Sequence, residues 1–236
     1  MNKENNKKVT IYLMRHGETI LNKAGRTQGW CDSVLTKDGL DDVISTGIGL
    51  SNIKFDSVYS SDLGRAVKTA EVVIGENNSS ENLQIIKCED LREMYFGKYE
   101  GGMDSDFYRE LAQHLKVTSI EELYERLDYQ REFCDACASL DETNEAENYD
   151  TVLKRITSCF EKICKESSKK APCNILIVAH GGILRLLLAH YSKNRIDIKN
   201  IDNASISKIE YENNEFKIVS INDTSYTEQG KAIRMI

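Results

Sequence analysis

Short apolar segments alternate with amphipathic segments along most of the chain. Val9–Met14 and Asn174–Ala179 are apolar runs rich in β-branched residues, which is typical of strands that are buried on both faces. Similar but shorter runs at Phe55–Tyr59 and Leu83–Cys88 predict two more strands. Alternation of apolar and polar residues near the C-terminus predicts a closing hairpin around Asn213-Asn214, formed by Ser205–Tyr211 and Phe216–Ile221.

Helical patterns lie between these strands. Thr36 can cap a helix that runs to about Leu50, because its side chain can accept from free N–H groups of the first turn. Gly182–Tyr191 directly follows an apolar strand and predicts a largely buried helix, with His190 as a histidine of the core. After the second strand, a helix is predicted by one apolar stripe, formed by Ala66, Ala70 and Val73.

The middle of the chain has a different pattern. From Asp104 to Ser168 there are no strand signals and no glycines, and we predict two or three helices. Ser119 and Glu122 have the spacing of a capping box. We expect residues of about 104–148 to form a helical insert that caps the functional site, within a single domain that spans residues 1–236.

Strands that alternate with helices predict an α/β fold, with a mostly parallel central sheet flanked by helices on both faces. Ligands of such sheets bind beyond the carboxyl ends of the strands. Three segments rich in reactive side chains follow predicted strands: Arg15-His16-Gly17, Ser60-Ser61-Asp62 and His180-Gly181-Gly182. Their positions point to a site at one edge of the sheet.

Composition narrows the classes of partner. The chain has 31 Lys and Arg against 38 Asp and Glu, a net charge of −7, so we expect neither a nucleic-acid partner nor an anionic membrane, although a local basic pocket remains open. Seven scattered cysteines and a polar start without an apolar signal core predict free thiols and a cytoplasmic location.

Two histidines and two arginines could build an anion site. A neutral imidazole at His16 is a competent nucleophile if its other nitrogen donates to a fixed acceptor. Arg15 offers a planar set of donors to a phosphate or a carboxylate, and His180 precedes a helix whose N-terminal N–H groups favour anions. With Arg65, these residues would form a cationic hollow that suits a phosphoryl group better than a metal ion.

Four segments of the chain strengthen the prediction of a phosphoryl-binding site. They are Leu13–Thr19 with Asn22, Ser60–Ala66, Leu91–Gly101 and Val178–Gly182. In this order and spacing they resemble the sequence blocks of the histidine phosphatase superfamily, the phosphoglycerate mutase-like proteins. One Arg-His-Gly triplet is common by chance, whereas four ordered blocks are specific.

The resemblance implies a role for each matching residue. His16 would attack phosphorus and become phosphohistidine, while Glu93 would protonate the leaving oxygen and later accept a proton from water. The oxygens of the phosphoryl group would be held by Arg15, Arg65 and His180. Substrate would also be contacted by Asn22, Gln28, Gly29 and Gly181. The resemblance implies neither a metal ion nor a cofactor, and the only partner we expect is a small phosphorylated substrate.

The third block favours the phosphatase branch of the family over the mutase branch. It reads Glu93-Met94-Tyr95-Phe96-Gly97, without the arginine and histidine that mutases usually carry there, and the insert has lysine only at position 116. We therefore expect a metal-independent phosphomonoesterase that acts on a small metabolite. A mutase and a catalytically silent module that binds a phosphorylated ligand remain alternatives. The sequence leaves open the substrate, the oligomeric state and the roles of Glu18, Trp30 and Cys31.

Overall fold

A six-stranded sheet forms the centre of the computed structural model, which describes residues 8–80, 83–126, 128–192, 198 and 200–235. Every predicted strand is present, and the second and third each begin two residues later than expected. The strands are β1 Val9–Arg15, β2 Ser57–Ser61, β3 Ile85–Cys88, β4 Cys173–Ala179, β5 Ile206–Glu212 and β6 Glu215–Asp223.

The strand order brings two of the reactive segments together. In the order β3-β2-β4-β1-β5-β6, the first four strands are parallel, while β5 is antiparallel to both of its neighbours. Arg15 is paired with Ala179 in the register of β1 and β4, so His16 and His180 leave adjacent strands at the same level. The mostly parallel sheet of the predicted α/β fold is confirmed.

Helices cover both faces of the sheet. Alternate residues of β1 enter two cores: Ile11 and Leu13 pack on one face, and Tyr12 and Met14 on the other. The second of these cores is covered by α2, α3 and α9, and the first by the helices of the middle of the chain and α8. The helices are α1 Ile20–Lys23, α2 Lys37–Gly49, α3 Gly64–Gly75, α4 Asp104–Leu115, α5 Ile120–Tyr124, α6 Tyr129–Leu140, α7 Tyr149–Ser168, α8 Gly181–Tyr191 and α9 Ser225–Arg234.

Most local helix signals act as predicted. Thr36 caps α2 by accepting a 2.9 Å hydrogen bond from the N–H of Gly39. Between Asp104 and Ser168, however, the described residues form four helices rather than two or three, because short turns separate α4, α5 and α6. His190 is exposed rather than part of the core, since α8 ends one residue later and its last turn extends past the packed face.

The described residues also bear on membrane spans and on the state of the cysteines. None of the helices in the described ranges is long and apolar enough to cross a bilayer. All seven cysteines lie in those ranges and are free thiols, as expected. The polar start, residues 1–7, lies outside the described residues.

Candidate active site

His16 is held as a neutral imidazole with one nitrogen free to react. It follows the last residue of β1 and is 3% exposed. Its Nδ1 lies 2.8 Å from the carbonyl oxygen of Gly17, so Nδ1–H donates to that oxygen and the lone pair lies on Nε2. Burial lowers the pKa of His16 well below its usual value, and the charges of Arg65 and Arg15 lower it further. The geometry therefore gives His16 the form that a nucleophile needs.

Arg65 joins His16 to the loop after α1. It is the second residue of α3, its side chain is fully buried, and its Nε–H donates to Nε2 of His16 over 3.3 Å. Its other donors reach the carbonyl oxygens of Gly29 and Cys31 and the carboxylate of Asp32, at 2.7–3.0 Å. Arg65 therefore anchors the loop of residues 28–32 beside the nucleophile, in addition to the phosphate role that the sequence suggests.

His180 and Arg15 present buried polar atoms that lack partners. The rings of His180 and His16 lie 5.2 Å apart between centroids. Neither ring nitrogen of His180 has a hydrogen-bond partner among the described residues, and the same holds for Nε of Arg15, whose Nη1 donates to the carbonyl oxygen of Ile201. Burial and the charge of Arg65 lower the pKa of His180 well below its usual value. Such unpaired buried groups are costly unless a ligand meets them.

Glu93 lies at the start of α8. Its Oε2 accepts from the N–H of Gly182 over 2.8 Å, and its Oε1 accepts from the N–H groups of Ile183 and Met94. The sequence pattern assigned the free N–H groups of this helix to a bound anion. The structure gives two of them to the Glu93 carboxylate instead, because a carboxylate also satisfies a helix N-terminus.

Two glycines at the start of α8 allow the side chains of Glu93 and Arg15 to come this close to the helix backbone. A Cβ atom on Gly182 would lie 2.5 Å from Oε1 of Glu93, and one on Gly181 would lie 3.1 Å from Nε of Arg15. Both side chains therefore lie against bare backbone in the first turn of α8.

The backbone of Glu93 is fixed by two long side chains. Trp30 donates from Nε1 to the carbonyl oxygen of Glu93 over 2.8 Å and stacks on Tyr95. Arg155 of α7 donates to the same carbonyl and to those of Asp90 and Arg92, while it pairs with Glu147. Sequence reasoning left the role of Trp30 open and missed Arg155, because neither residue lies near Glu93 in the chain.

The two other residues of undecided role have structural contacts. Glu18 accepts from the hydroxyl of Thr36 over 2.7 Å and so braces the start of α2. Cys31 donates its N–H to Glu100, and burial together with the nearby Glu100 carboxylate raises the pKa of its thiol to about 12. Neither residue is part of the cavity lining described next.

A cavity of about 450 Å³ opens over the site. Three of the residues predicted to contact substrate, Asn22, Gln28 and Gly181, line it together with Arg15 and Glu93. Gly29 is not in the lining, and its carbonyl oxygen is the acceptor for Arg65. The insert supplies Asp104, Phe107, Tyr108, Tyr124, Tyr129, Gln130, Phe133 and Cys134, so it forms the expected cap.

His16, Arg65 and His180 are absent from this lining because their side chains are almost completely buried. Their neighbours Arg15 and Gly181 do line the cavity, so a phosphoryl group would approach His16 past these two residues. The structure thus brings His16, the two arginines, His180 and Glu93 into one region at the carboxyl ends of β1 and β4.

Arg185 is a cavity residue that sequence reasoning missed. It lies on α8, lines the cavity beside Tyr124 and Tyr129, and is electrostatically coupled to Glu93. One sequence signal could have found it: three or four residues after Gly181 and Gly182, a helical residue lies on the same face. A cation at this position can meet a polar or anionic group of a substrate at a distance from the phosphoryl group.

Comparisons with known proteins agree with this arrangement. A family model described as histidine phosphatase superfamily (branch 1) matches residues 11–224. The broad-specificity phosphatase YOR283W of Saccharomyces cerevisiae is 25% identical over 236 residues, which cover 98% of this chain and 92% of the yeast protein. The 2,3-bisphosphoglycerate-dependent phosphoglycerate mutase of Streptococcus thermophilus is 29% identical over 196 residues, 78% of this chain and 84% of that protein.

A solved structure is similar over the same length. The crystal structure of phosphoglycerate mutase from Bacillus anthracis matches with a TM-score of 0.91 and 34% sequence identity, and the match covers 98% of this chain and 100% of that chain. Proteins named as phosphatases and proteins named as mutases are therefore both similar to this chain.

Proposed function

The chain belongs to the histidine phosphatase superfamily, and from this premise we propose that it hydrolyses phosphomonoesters of small metabolites through a phosphohistidine on His16. The resemblance noted in the four sequence blocks is thereby confirmed at the level of the family. Membership supports an enzyme that is either a phosphatase or a mutase. The choice of hydrolysis and the roles of individual residues are our proposal.

The first step is an in-line attack of Nε2 of His16 on phosphorus. The Nε2 lone pair forms the new N–P bond while the bond from phosphorus to the ester oxygen breaks, and Gly17 continues to accept from Nδ1–H. Nε–H of Arg65, which now donates to Nε2, would turn to a phosphoryl oxygen. Fixed donors around the transferred group typically contribute a few kcal/mol each to the transition state.

Glu93 serves as the proton donor and acceptor in the proposed reaction. Its protonated carboxyl would give a proton to the departing alkoxide, and the resulting carboxylate would then take a proton from the water that attacks phosphorus. The new O–P bond forms as the N–P bond to Nε2 of His16 breaks, which releases inorganic phosphate and restores the free imidazole. The bonds from Gly182, Ile183 and Met94 hold this carboxyl in a fixed place at the cavity.

One observation carries the proposal. Nε of Arg15 and both ring nitrogens of His180 are buried without partners within the described ranges, beside a neutral His16. A phosphoryl group has three oxygens that can accept from Nε–H of Arg15 and from the one N–H of a neutral His180, so it would satisfy donors that are otherwise costly to bury.

Hydrolysis is favoured over mutase chemistry by the lining of the cavity. A mutase must retain a second phosphoryl group and exclude water, which calls for several basic side chains beyond the nucleophile. The described residues of the cap contribute mostly aromatic side chains, namely Phe107, Tyr108, Tyr124, Tyr129 and Phe133, and no basic side chain among them lines the cavity. The basic side chains of the described lining, Arg15, Arg26 and Arg185, come from outside the cap. The mutases among the similar proteins keep the mutase reaction as the second candidate.

Turnover of p-nitrophenyl phosphate in the presence of EDTA tests the proposal. We expect release of p-nitrophenolate at mildly acidic to neutral pH, and an acid-labile phosphoryl label on the protein after rapid quenching. His16→Ala should lose both. A surviving label in His16→Ala would move the nucleophile elsewhere, and ligand binding without any turnover would favour a silent binding module.

The same preparation separates the two enzymatic candidates. Rapid exchange between 3- and 2-phosphoglycerate that depends on a bisphosphate primer, with only trace hydrolysis of aryl phosphate, would favour the mutase. A panel of small phosphorylated metabolites ranked by kcat/KM would then identify the substrate class.

A further inference from the structure

Two thiols and a carboxylate meet on the face of the sheet that α7 covers. Cys88 is the last residue of the edge strand β3, and Cys159 lies on α7, 71 residues further along the chain. Their sulfur atoms are 3.0 Å apart. One carboxylate oxygen of Asp90 completes the group, and all three ligand atoms lie within 4.8 Å of one another. Among the described residues, no other group of His, Cys, Asp and Glu has this geometry.

The cluster is separate from the proposed phosphoryl site. None of its three residues lines the cavity. Cys159 is buried, Cys88 is half-buried and Asp90 is exposed, so the group has an apolar inner side and an outer side that is open to solvent. An ion could therefore reach it from solvent without passing the cavity.

The charges of the cluster favour a cation. The sulfur atoms of Cys88 and Cys159 are in hydrogen-bond contact, and each becomes a thiolate ligand when a metal ion displaces its proton. The carboxylate of Asp90 faces both sulfur atoms and opposes this negative charge, and Lys162 faces Cys159 as a positive group. A bound cation would turn these repulsions into ligand bonds.

We propose that Cys88, Cys159 and Asp90 bind a soft divalent cation of the zinc class, with a fourth position open to water. Two thiolates and a carboxylate form a donor set that tetrahedral Zn²⁺ accepts. With Zn–S bonds of about 2.3 Å, the two sulfur atoms would lie about 3.8 Å apart, so the thiols must separate by less than 1 Å. Both thiols would release their protons to solvent as the ion binds.

The ion would join two elements that support Glu93. Cys88 and Asp90 belong to the end of β3 and the following 3₁₀ turn Glu89–Leu91, which leads directly to Glu93. Cys159 lies one helical turn after Arg155, which already donates to the carbonyl oxygens of this segment. A bound ion would therefore strengthen an existing connection between α7 and the segment, and it should raise the stability of the folded chain.

Zinc titration of the reduced full-length protein tests this proposal. We expect one equivalent of Zn²⁺ to bind, measured by competition with a chromogenic chelator, and Co²⁺ to give thiolate-to-metal charge-transfer absorption. Cys88→Ser and Cys159→Ser should each weaken binding by more than about tenfold and remove most of the charge-transfer band. Asp90→Asn should weaken binding while leaving the band, because it removes an oxygen ligand only.

The other thiol pair of the chain provides the matched control. Cys134 and Cys137 are buried on α6, and Cys134→Ser with Cys137→Ser should bind zinc as the unaltered chain does. Since Asp90 is exposed, Asp90→Asn should fold normally, and circular dichroism with thermal unfolding verifies folding of every variant. Zinc should raise the Tm of the unaltered chain but not that of Cys88→Ser.

Three results would overturn the proposal. They are failure of the reduced protein to take up zinc, unchanged zinc affinity in both Cys88→Ser and Cys159→Ser, and loss of binding only in the Cys134 and Cys137 variant. A chain that forms a Cys88–Cys159 disulfide in air and binds no zinc after reduction would identify a redox pair instead. Zinc uptake is measured without substrate, so these outcomes neither support nor contradict the proposed hydrolysis, which the turnover of aryl phosphate tests separately.

Discussion

Neutral imidazoles beside buried guanidinium groups define the chemistry at the scale of single residues. Protonation of His16 or His180 would place a third positive charge next to Arg15 and Arg65 in a region without solvent, and the pKa of each ring is lowered accordingly. A phosphate dianion changes this balance, because its charge offsets that of both arginines. The electrostatic potential of the free site therefore favours the binding of an anion and disfavours protonation of either histidine.

The lowered pKa values predict a loss of stability in mild acid. An unfolded histidine binds a proton near pH 6.5, whereas the buried rings of His16 and His180 do not until the pH is well below that value. Unfolding then takes up protons, so the free energy of unfolding falls as the pH drops below about 6.5, by about 1.4 kcal/mol per pH unit for each ring. Urea unfolding in phosphate-free buffers between about pH 7.5 and 5 measures this slope.

A histidine variant isolates the contribution of one ring. His180→Gln should reduce the slope by about 1.4 kcal/mol per pH unit, whereas His114→Gln, at an exposed position, should leave it unchanged. An unaltered slope in His180→Gln would contradict the view that this ring is buried in the neutral state.

Removal of the proton donor should affect substrates according to their leaving groups. Glu93→Gln cannot protonate an alkoxide, so we expect kcat for alkyl phosphates to fall by about 10²–10⁴-fold. The loss for p-nitrophenyl phosphate should be much smaller, because p-nitrophenolate leaves without protonation. Steady-state kinetics on both substrates gives the ratio, and the affinity for inorganic phosphate shows whether the site is intact. Equal losses on the two substrates would argue against Glu93 as the acid.

At the scale of elements, the segment that carries Glu93 is positioned by neighbours rather than by its own secondary structure. Between β3 and α4 it contains only two 3₁₀ turns, Glu89–Leu91 and Gly97–Tyr99. Its position is fixed by Trp30 from the loop after α1, by Arg155 from α7 and by the first turn of α8. Three separate elements thus determine where one carboxylate lies.

Arg155 is the contact whose loss should have the largest effect on this segment. Its side chain and that of Glu147 are 13% and 11% exposed, so Arg155→Met removes a buried ion pair and one donor from each of three carbonyl groups. We expect the free energy of unfolding to fall by about 3 kcal/mol. We also expect kcat for alkyl phosphates, which need a proton donor, to fall more than KM changes, because Glu93 loses its fixed position.

Arg131 offers the matched comparison for that experiment. It pairs with Asp150, but its side chain is 47% exposed, so Arg131→Met should change the free energy of unfolding by less than about 1 kcal/mol. Urea unfolding and steady-state kinetics of both variants show whether the contacts of Arg155 position the segment that carries Glu93. Similar small effects in the two variants would show that the contacts of Arg155 do not position the segment.

At the scale of the whole molecule, the sheet provides the proposed phosphoryl site, and the insert provides most of the surface that would meet the rest of the substrate. The cavity lies between the carboxyl ends of β1 and β4 and the helices α4 to α6. Arg185 of α8 lies where these two parts meet, among Tyr124 and Tyr129 of the insert. Substrate choice should therefore depend on the pairing of α8 with the cap.

The position of Arg185 in the cavity predicts a preference for phosphomonoesters that carry a second anionic group. Arg185→Gln should lower kcat/KM by about 10–100-fold for substrates whose organic part carries a second anionic group, since a charge-assisted hydrogen bond contributes about 1.5–3 kcal/mol. Turnover of p-nitrophenyl phosphate should change little, because this ester has no such group. Arg26→Gln, at an exposed position on the cavity rim, serves as the control. Equal losses for both kinds of ester would exclude a role of Arg185 in substrate choice.

The sequence by itself determined the strands, most helix starts, the family and the set of reactive residues around His16. These features follow from local patterns, since hydrophobic periodicity and capping act over a few residues, and ordered motifs keep their identity without knowledge of contacts. Only the tertiary structure decided which distant side chains hold those residues in place. Trp30 and Arg155 meet Glu93 across 63 and 62 residues of chain, and Cys88 meets Cys159 across 71. Such pairs arise when helices and loops pack on the sheet, and no local pattern encodes that packing.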